Sequence, residues 1–385
     1  MTKNYELKTL GSVATYINGR AFKPSEWEST GLPIVRIQNL TDKNAKCHYS
    51  SAAYEEKYKI HNGDLLFAWS ASLGAHIWNQ NDAWLNQHIF KVIPNDNIDK
   101  LYLYYYLQKV IAELYLKTHG SGMVHITKGP FMNTSIPVPS YTEQSRIVAH
   151  IEELFSELDK AVDTLKTTKE QLEVYRQAVL KDAFSDFEKK DSIRNLTMVV
   201  TSGSRGWAKY YSNSGALFVR IGNLTHSGID IDFRDIQHIT PPDNAEGVRT
   251  RLQPNDVLVS ITADLGSIGF VSEKVEEAYI NQHIALVRFQ NPVQGRFMAW
   301  YLRSEYGQKD LLKNKRGGGK LGLGLDDIRD TPVPIVSDLV AQKTVDEIEE
   351  RLSVCDSIEK TVDATLAQAD AMRQSILKQA FEGAL

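Results

Sequence analysis

Two long stretches of the chain place apolar residues at steps of four and three, and both predict helices. From Ser140 to Lys190 there is neither proline nor glycine to interrupt a helix. Ser140 and Glu143 have the spacing of a capping box, in which each side chain satisfies a free amide at the helix start. The apolar steps of four and three continue through this whole stretch, and such a sustained heptad pattern predicts the seam of a coiled coil. Its positions are Ile147, Ile151, Leu154, Leu158, Ala161, Leu165, Thr168, Leu172, Tyr175 and Val179.

The second stretch, near the end of the chain, follows the same pattern less regularly. Two such helices in one chain bury their apolar faces most economically against each other, so we expect an antiparallel coiled coil. The seam positions of this helix are Ile348, Leu352, Cys355, Ile358, Val362, Thr365, Ala369, Met372 and Ile376.

The segment before each helix has short runs of β-branched and aromatic residues, separated by Gly, Asn and Asp. Residues 32–37, 64–69 and 87–93 predict strands, and residues 99–116 predict a helix. This mixture predicts an α/β globule ahead of each long helix.

The two halves of the chain repeat each other in order. Asn-Gln-His-Ile at 86–89 returns unchanged at 281–284, and Pro-Val-Pro at 137–139 returns at 332–334. Ile-Val-Arg-Ile-Gln-Asn-Leu at 34–40 returns as Phe-Val-Arg-Ile-Gly-Asn-Leu, and Arg-Gln-Ala-Val-Leu-Lys-Asp-Ala-Phe at 176–184 returns as Arg-Gln-Ser-Ile-Leu-Lys-Gln-Ala-Phe. Repeats in register indicate one globule-plus-helix unit used twice. The expected boundaries are 1–140 and 191–336 for the globules, and 141–190 and 337–385 for the helices.

The composition is ordinary for a globular protein. The net charge is informative only when it is divided among the globules and the helices. The 385 residues are 42% hydrophobic and 24% charged, with a net charge of −4. The globules carry +3 and +1 and the helices −3 and −5. A polyanion would therefore bind the globules, where a basic cluster surrounds Gly317-Gly318-Gly319. A solvated basic loop is the plainer interpretation of that cluster.

The sequence contains no recognisable catalytic motif. Gly317-Gly318-Gly319-Lys320 lacks the P-loop Ser or Thr, and Gly322-Leu323-Gly324 lacks the third glycine of a dinucleotide fingerprint. His88 and His283 have no zinc-ligand spacing around them, so no metal site is expected. With two distant cysteines, no signal peptide and no apolar run of membrane-spanning length, we expect a cytoplasmic protein.

The alternation of globule, Pro-Val-Pro and helix resembles the specificity subunit of type I restriction-modification systems. The first helix opens with Gln-Ser-Arg-Ile-Val at 144–148, and both helices end in the Arg-Gln-x-Val/Ile-Leu-Lys-x-Ala-Phe string. The resemblance implies two target recognition domains in a pseudo-twofold arrangement, each reading half of a split double-stranded DNA site, with the helices as spacer and as dock for two methyltransferase subunits. It also implies that this bacterial or archaeal chain has no catalysis or cofactor of its own. S-adenosylmethionine, ATP and Mg would belong to the modification and restriction subunits.

Repetition helps to place the base readers, because strings shared by both globules cannot distinguish two different half-sites. Arg36/Arg220, Asn39/Asn223, Asn86/Asn281 and His88/His283 are therefore interpreted as framework or backbone contacts. Divergent loops that mix cations, hydroxyls and amides suit phosphates and base edges. The candidate DNA contacts are Arg20, Lys23, Trp27, Ser70, Ser72, Ser121, His125 and Lys128 in the first globule, and Arg205, Trp207, Lys209, Tyr210, Thr262, Asp264, Lys315, Arg316 and Lys320 in the second.

Other functions stay open on the sequence alone. The chain could be the target-reading subunit of a related bipartite, type II-like restriction system whose partner fuses modification and cleavage. It could also be a scaffold that binds only proteins, which the acidic helices suit and the divergent cationic loops do not. An autonomous nuclease or methyltransferase is disfavoured by the missing motifs.

Overall fold

The computed structural model describes residues 5–42, 44–70, 72–117, 128–188, 190–203, 205–243, 245–313, 315 and 321–383, with side chains throughout except at 112–117, 128 and 245. Among these residues no helix is both long and apolar enough to cross a membrane.

Short strands alternate with helices along the chain, and two helices are far longer than the rest. The strands are β1 (Glu6–Thr9), β2 (Ala14–Asn18), β3 (Leu32–Val35), β4 (His48–Ser50), β5 (Lys59–Ile60), β6 (Leu65–Ala68), β7 (Gly74–Ile77), β8 (Ala83–Leu85), β9 (Ile89–Pro94), β10 (Ser135–Val138), β11 (Lys190–Ser192), β12 (Thr197–Ser202), β13 (Tyr211–Ser212), β14 (Ala216–Val219), β15 (Gln237–Ile239), β16 (Val257–Ser260), β17 (Ile268–Phe270), β18 (Ala278–Ile280), β19 (Ile284–Phe289) and β20 (Pro332–Pro334). The helices are α1 (Leu10–Val13), α2 (Ile37–Thr41), α3 (Lys100–Lys117), α4 (Lys128–Met132), α5 (Tyr141–Phe184), α6 (Ile193–Leu196), α7 (Ala245–Thr250), α8 (Gly295–Arg303), α9 (Glu305–Leu311), α10 (Leu325–Arg329) and α11 (Asp338–Phe381).

The chain divides into two compact units, of which the first comprises residues 1–165 and 363–385. Its strands form one sheet in the order β2-β9-β6-β7, a second in the order β4-β3-β8-β5, and the separate pair β1-β10. The core packs α3 against the start of α5 and the end of α11. There the ring of Phe381 lies 5.1 Å from that of Tyr102 and 5.0 Å from that of Tyr106.

The second unit, residues 166–362, repeats this design. Its sheets have the orders β12-β19-β16-β17 and β13-β15-β14-β18, and β11 pairs with β20. β14 and β18 are parallel, as β3 and β8 are in the first unit. The ring of Phe184, which corresponds to Phe381 in the repeat, lies 5.5 Å from that of Phe297 and 5.4 Å from that of Tyr301. Each core therefore seals the end of one long helix with aromatic rings.

The expected mixed α/β class with two long helices is confirmed. The strands predicted at 32–37, 64–69 and 87–93 correspond to β3, β6 and β9, and the helix predicted at 99–116 corresponds to α3. The serine half of the predicted capping box is present, since the Glu143 backbone amide lies 3.4 Å from the Ser140 hydroxyl, and the Glu143 carboxylate also binds Arg146.

Within the second unit the two long helices run antiparallel. Arg176 binds Asp356 at 2.6 Å, and six residues further along α5 Asp182 binds Arg351, which precedes Asp356 on α11. Contacts that ascend one helix and descend the other define antiparallel packing. In the first unit Arg373 of α11 forms the equivalent ion pair with Asp159 of α5.

Four of the predicted seam positions were wrong. Tyr175, Ile358 and Met372 are 48%, 40% and 54% exposed, and Ala161 also faces solvent. The neighbouring residues turn inward instead, and they are Val162, Arg176, Glu359 and Arg373. An arginine can occupy a seam because its aliphatic stem packs while its head binds a carboxylate of the other helix. A search for apolar periodicity passes over such positions.

The remaining predicted seam residues are at least half-buried. They are Ile147, Ile151, Leu154, Leu158, Leu165, Thr168, Leu172, Val179, Ile348, Leu352, Cys355, Val362, Thr365, Ala369 and Ile376.

Candidate nucleic-acid interface

The repeated Asn-Gln-His-Ile string forms a turn between β8 and β9 in the first unit and between β18 and β19 in the second. Asn86 and Asn281 each accept a backbone hydrogen bond from the isoleucine three residues later, at 3.2 Å in both units. The Gln282 amide donates to Nε2 of His283 at 2.9 Å, and Gln87 lies 3.2 Å from the same atom of His88. We call these four-residue segments, 86–89 and 281–284, the NQHI turns.

A glycine packs directly on each NQHI turn. A Cβ atom at Gly19 would lie 2.1 Å from the carbonyl oxygen of Asn86, and one at Gly203 would lie 2.1 Å from that of Asn281. The Gly19 amide also donates to the Ile89 carbonyl at 3.0 Å. Only glycine permits so close an approach, and it places the start of a divergent segment, 18–23 or 202–211, against each turn.

Trp69, which begins another segment that differs between the two globules, also meets the NQHI turn of the first globule. The Trp69 amide donates to the His88 carbonyl at 3.2 Å, and the two rings meet edge to face at 5.3 Å. The Trp69 indole donates to the Asn18 side chain at 3.2 Å, which joins the two segments to each other. Ser70 is only 5% exposed beside Trp69, so the prediction that it contacts DNA conflicts with its position, whereas Ser72 is exposed.

In the second globule another segment that differs between the halves, which begins at Thr262, meets the turn. The Ile261 amide donates to the His283 carbonyl at 2.9 Å, and Nδ1 of His283 lies 2.5 Å from the Thr262 hydroxyl. Because Gln282 donates to Nε2, the proton sits on Nδ1 and is donated to Thr262. The backbone amide of Leu323 donates to the Ile261 carbonyl at 2.9 Å, so Leu323 lies next to the start of this segment.

The cation of Arg20 is engaged within the first globule. It binds Glu26 at 2.6 Å and lies 4.9 Å and 4.3 Å from the ring centres of Phe22 and Tyr54. The hydrogen bond with Glu26 raises the pKa of Arg20. Arg20 therefore orders its loop, and about 29% of its side chain stays accessible.

Lys23 and Trp27 lie on the same loop with different surroundings. Lys23 is exposed, whereas Trp27 is half-buried and stacks on the His48 ring at 3.9 Å. Burial lowers the pKa of His48, and the charges of Arg36 and Lys46 lower it further.

In the second globule the segment 205–210 presents two exposed cations around a buried ring. Arg205 and Lys209 are exposed, and Lys209 lies 4.9 Å from the ring centre of half-buried Tyr210. Trp207 is only 2% exposed and stacks on Phe218, so the prediction that it contacts DNA conflicts with its position. In the first globule the buried Phe22 packs in the same way with Ile34 and Trp84, which correspond to Phe218 and Tyr279 in the repeat. Packing in the core therefore explains the presence of Trp207.

Several candidates lie outside the described residues. Ser121, His125, Arg316 and Lys320 fall there, and of Lys128 only the backbone is described, at the start of α4. Lys315 is described and exposed. Thr262 is half-buried and Asp264 is exposed.

The framework interpretation of the repeated asparagines is confirmed for one pair. The Asn39 side chain accepts from the Arg36 amide at 3.0 Å, and that of Asn223 accepts from the Arg220 amide at 2.8 Å. Asn223 also donates to the carbonyl of Asp232 at 2.8 Å, whose own carboxylate binds Arg234. The hydrogen bond from the Arg234 side chain lowers the pKa of the Asp232 carboxyl group to about 2.

Sequence reasoning missed two residues of this region. Arg249 of α7 donates to the Thr201 hydroxyl and to the Ser202 carbonyl, beside the start of segment 202–211. His226 contacts Asp264, with Nε2 2.7 Å from Oδ1. Divergence could have identified His226, because the shared Asn-Leu-Thr string continues with Asp42 in the first half and with His226 in the second.

No group of three or more potential metal-ligating side chains occurs within the part of the chain described here. Both globules instead have one arrangement, in which a shared turn gathers segments that differ between them. The two globules therefore carry homologous surfaces whose local sequences differ.

Residues 2–174 match the family model described as the type I restriction modification DNA specificity domain. The chain is also similar over 98% of its length to the specificity subunit of the EcoBI type I restriction enzyme of Escherichia coli, at 25% identity and over 85% of that protein. The StySPI specificity subunit of Salmonella potsdam is 25% identical over 98% of this chain and 88% of that one.

A solved structure supports the same fold. A chain from a study of complex assembly and conformational transition of the type I R-M system superposes over 100% of both chains, with a TM-score of 0.72 and 19% identity. The resemblance to type I specificity subunits that the repeated strings predict is thus confirmed.

Proposed function

We propose that this chain is the DNA-recognition subunit of a type I restriction-modification complex, with one globule for each half of a bipartite site. The observation that carries the proposal is the duplicated NQHI turn, on which segments of different sequence converge. A shared framework with divergent loops suits two related surfaces that read two different sequences. Its place of action is the cytoplasm of a bacterium or archaeon, where the DNA lies.

The long helices supply a docking surface for partner subunits. Apolar residues that a helix pair should bury remain exposed on them: Val174, Tyr175 and Ile358 in the second unit and Met372 in the first. Tyr175 and Met372 are equivalent in the repeat, so the same exposed position occurs twice. Two copies of one modification subunit fit this duplication, and apolar helix faces of this kind pack against partner helices.

Catalysis belongs to those partners in this proposal. The modification subunits would bind S-adenosylmethionine and methylate the DNA, and the restriction subunits would use ATP and Mg for translocation and cleavage. This chain contributes the choice of sequence. A scaffold that binds only proteins would leave the divergent cationic segments without a role.

The test is to express the chain with its modification subunits in a host that lacks the modification and to sequence the methylome. We expect one methylated motif made of two short sequences with a constant gap. The purified complex should contain two modification subunits for each copy of this chain. Absence of a bipartite motif in a complex that assembles would refute the proposal.

Arg205 offers a local test of the one-globule, one-half-site assignment. It is exposed and follows by two residues Gly203, whose backbone packs on the NQHI turn of the second globule. Arg205→Ala should weaken recognition of one half-site by about 1–3 kcal/mol if it reads a base, and methylome sequencing will show whether that half-site relaxes. Lys274→Ala, which removes an exposed cation elsewhere in the same globule, is the control. Equal loss at both half-sites would exclude a local role.

A further inference from the structure

The loop between β16 and β17, residues 262–266, is tied down by its neighbours. The Ser260 hydroxyl donates to the Asp264 carbonyl at 2.5 Å and accepts from the Ser267 amide at 2.8 Å. The side-chain amide of Gln308, on α9, donates to the Gly266 carbonyl at 2.8 Å. With the Thr262–His283 contact, three separate parts of the globule hold the loop in one conformation.

The tip of the 262–266 loop is in a conformation that its own residue disfavours. Ala263 has φ of +61°, and it is one of two non-glycine residues with positive φ in the part of the chain that the structure describes. A β-carbon makes this left-handed region unfavourable. The surrounding contacts therefore impose the conformation, which is a common property of loops that present a binding group.

That conformation presents a carboxylate with a fixed orientation. Nε2 of His226 lies 2.7 Å from Oδ1 of Asp264, and the Ser267 hydroxyl donates to Oδ2 at 3.2 Å. The Asp264 side chain is nevertheless 59% exposed and that of His226 50% exposed. Each carboxylate oxygen can accept a further hydrogen bond, so the orientation is set while acceptor capacity still faces outward.

On a DNA-binding surface an exposed carboxylate has one favourable use. It is repelled by phosphates and can only accept hydrogen bonds, so it requires a donor on a base edge. In the major groove the amino group at N4 of cytosine is such a donor, and Asp and Glu are its usual partners. The amino group of adenine lies beside the N7 acceptor, which disfavours a carboxylate and favours an amide.

We propose that Asp264, positioned by His226, recognises a cytosine through its N4 amino group in the half-site of the second globule. The proposal rests on the proposed function, since it requires that this globule binds DNA. In this arrangement His226 is a positioning residue that holds Oδ1, and the 262–266 loop is the rigid support. The first globule has Ser72 in the place of Asp264 and Asp42 in the place of His226, so this reader would serve only one half-site.

The experiment compares methylomes of the whole complex carrying Asp264→Asn, Asp264→Ala, His226→Ala or no substitution. Asp264→Asn should let adenine replace cytosine at one position, because an amide can pair with N6 and N7 of adenine. Asp264→Ala should reduce the preference for cytosine there by on the order of tenfold. His226→Ala should weaken the same position, and His226→Gln, which restores a donor, should recover part of it. Glu276→Gln removes an exposed carboxylate from the same globule and should change nothing.

The outcomes separate this proposal from the broader one. A wild-type complex without a bipartite motif contradicts the proposed function itself. A wild-type motif that the Asp264 variants leave unaltered, or relax equally in both half-sites, overturns the role of Asp264 alone. If a variant abolishes methylation but unfolds at the wild-type temperature, competition binding with duplexes substituted at each base pair decides. Lost discrimination at one C·G pair supports the proposal, and uniform weakening overturns it.

Discussion

Trp207 and Asp264 lie on divergent segments of one globule and differ in burial, since Trp207 is packed in the core and Asp264 is exposed. Aromatic residues among cations are typical of both nucleic-acid surfaces and packed loops, so residue type alone could not assign Trp207 to the core. The Trp207 ring stacks on Phe218, and Phe22 occupies the equivalent buried position in the first globule. Asp264 faces solvent with its orientation set by His226.

Packing at Trp207 gives a prediction at the residue scale. Trp207→Phe inserts the residue type found at the equivalent position and should lower the free energy of unfolding by less than that of Trp207→Ala, which should cost about 3–5 kcal/mol. Denaturant unfolding of the complex measures both. The methylated motif should be the same for Trp207→Phe as for the wild type. A changed base preference in that variant would restore Trp207 as a DNA contact.

At the scale of elements, the sequence indicates where the long helices can run but not how they are rotated. The absence of proline and glycine allows a helix as far as Lys190, whereas α5 ends at Phe184 and Lys190 begins β11. Which side faces inward depends on tertiary partners. Arg176 turns inward because Asp356 and Glu359 of the other helix bind it, while Tyr175 turns outward. The apolar periodicity of one helix does not show which of its residues bind the other helix.

The outward position of Tyr175 gives a prediction about docking. Tyr175→Glu places a charge on an exposed apolar surface, so the free energy of unfolding of the chain should change by at most about 0.5 kcal/mol. Binding of a modification subunit should weaken, because a charge would be buried at the contact. Size-exclusion chromatography with light scattering should show the complex losing one modification subunit. Gln374→Glu, which also replaces a neutral side chain with a charged one at an exposed position of the helices, is the matched control.

For the whole molecule, repetition within the sequence was the most informative signal. It indicated one unit used twice, and it separated framework residues such as Asn39 and Asn223 from divergent segments. It could not indicate that residues as distant as 203 and 261 meet at one turn, because those contacts run through backbone atoms. Backbone hydrogen bonds carry no residue-type signature, so the convergence on the NQHI turns required the structure.

The two long helices lead to a prediction about the gap between the half-sites. Adding four residues to each helix, after Leu165 and after Val362 where the compact units divide, extends each by about 6 Å and slightly more than one turn. At about 3.4 Å per base pair, the gap in the methylated motif should grow by about two base pairs while both half-site sequences stay the same. Substituting four exposed residues with alanine at the same places, without changing length, is the control. An unchanged gap in a complex that still methylates DNA would show that the helices do not set the spacing.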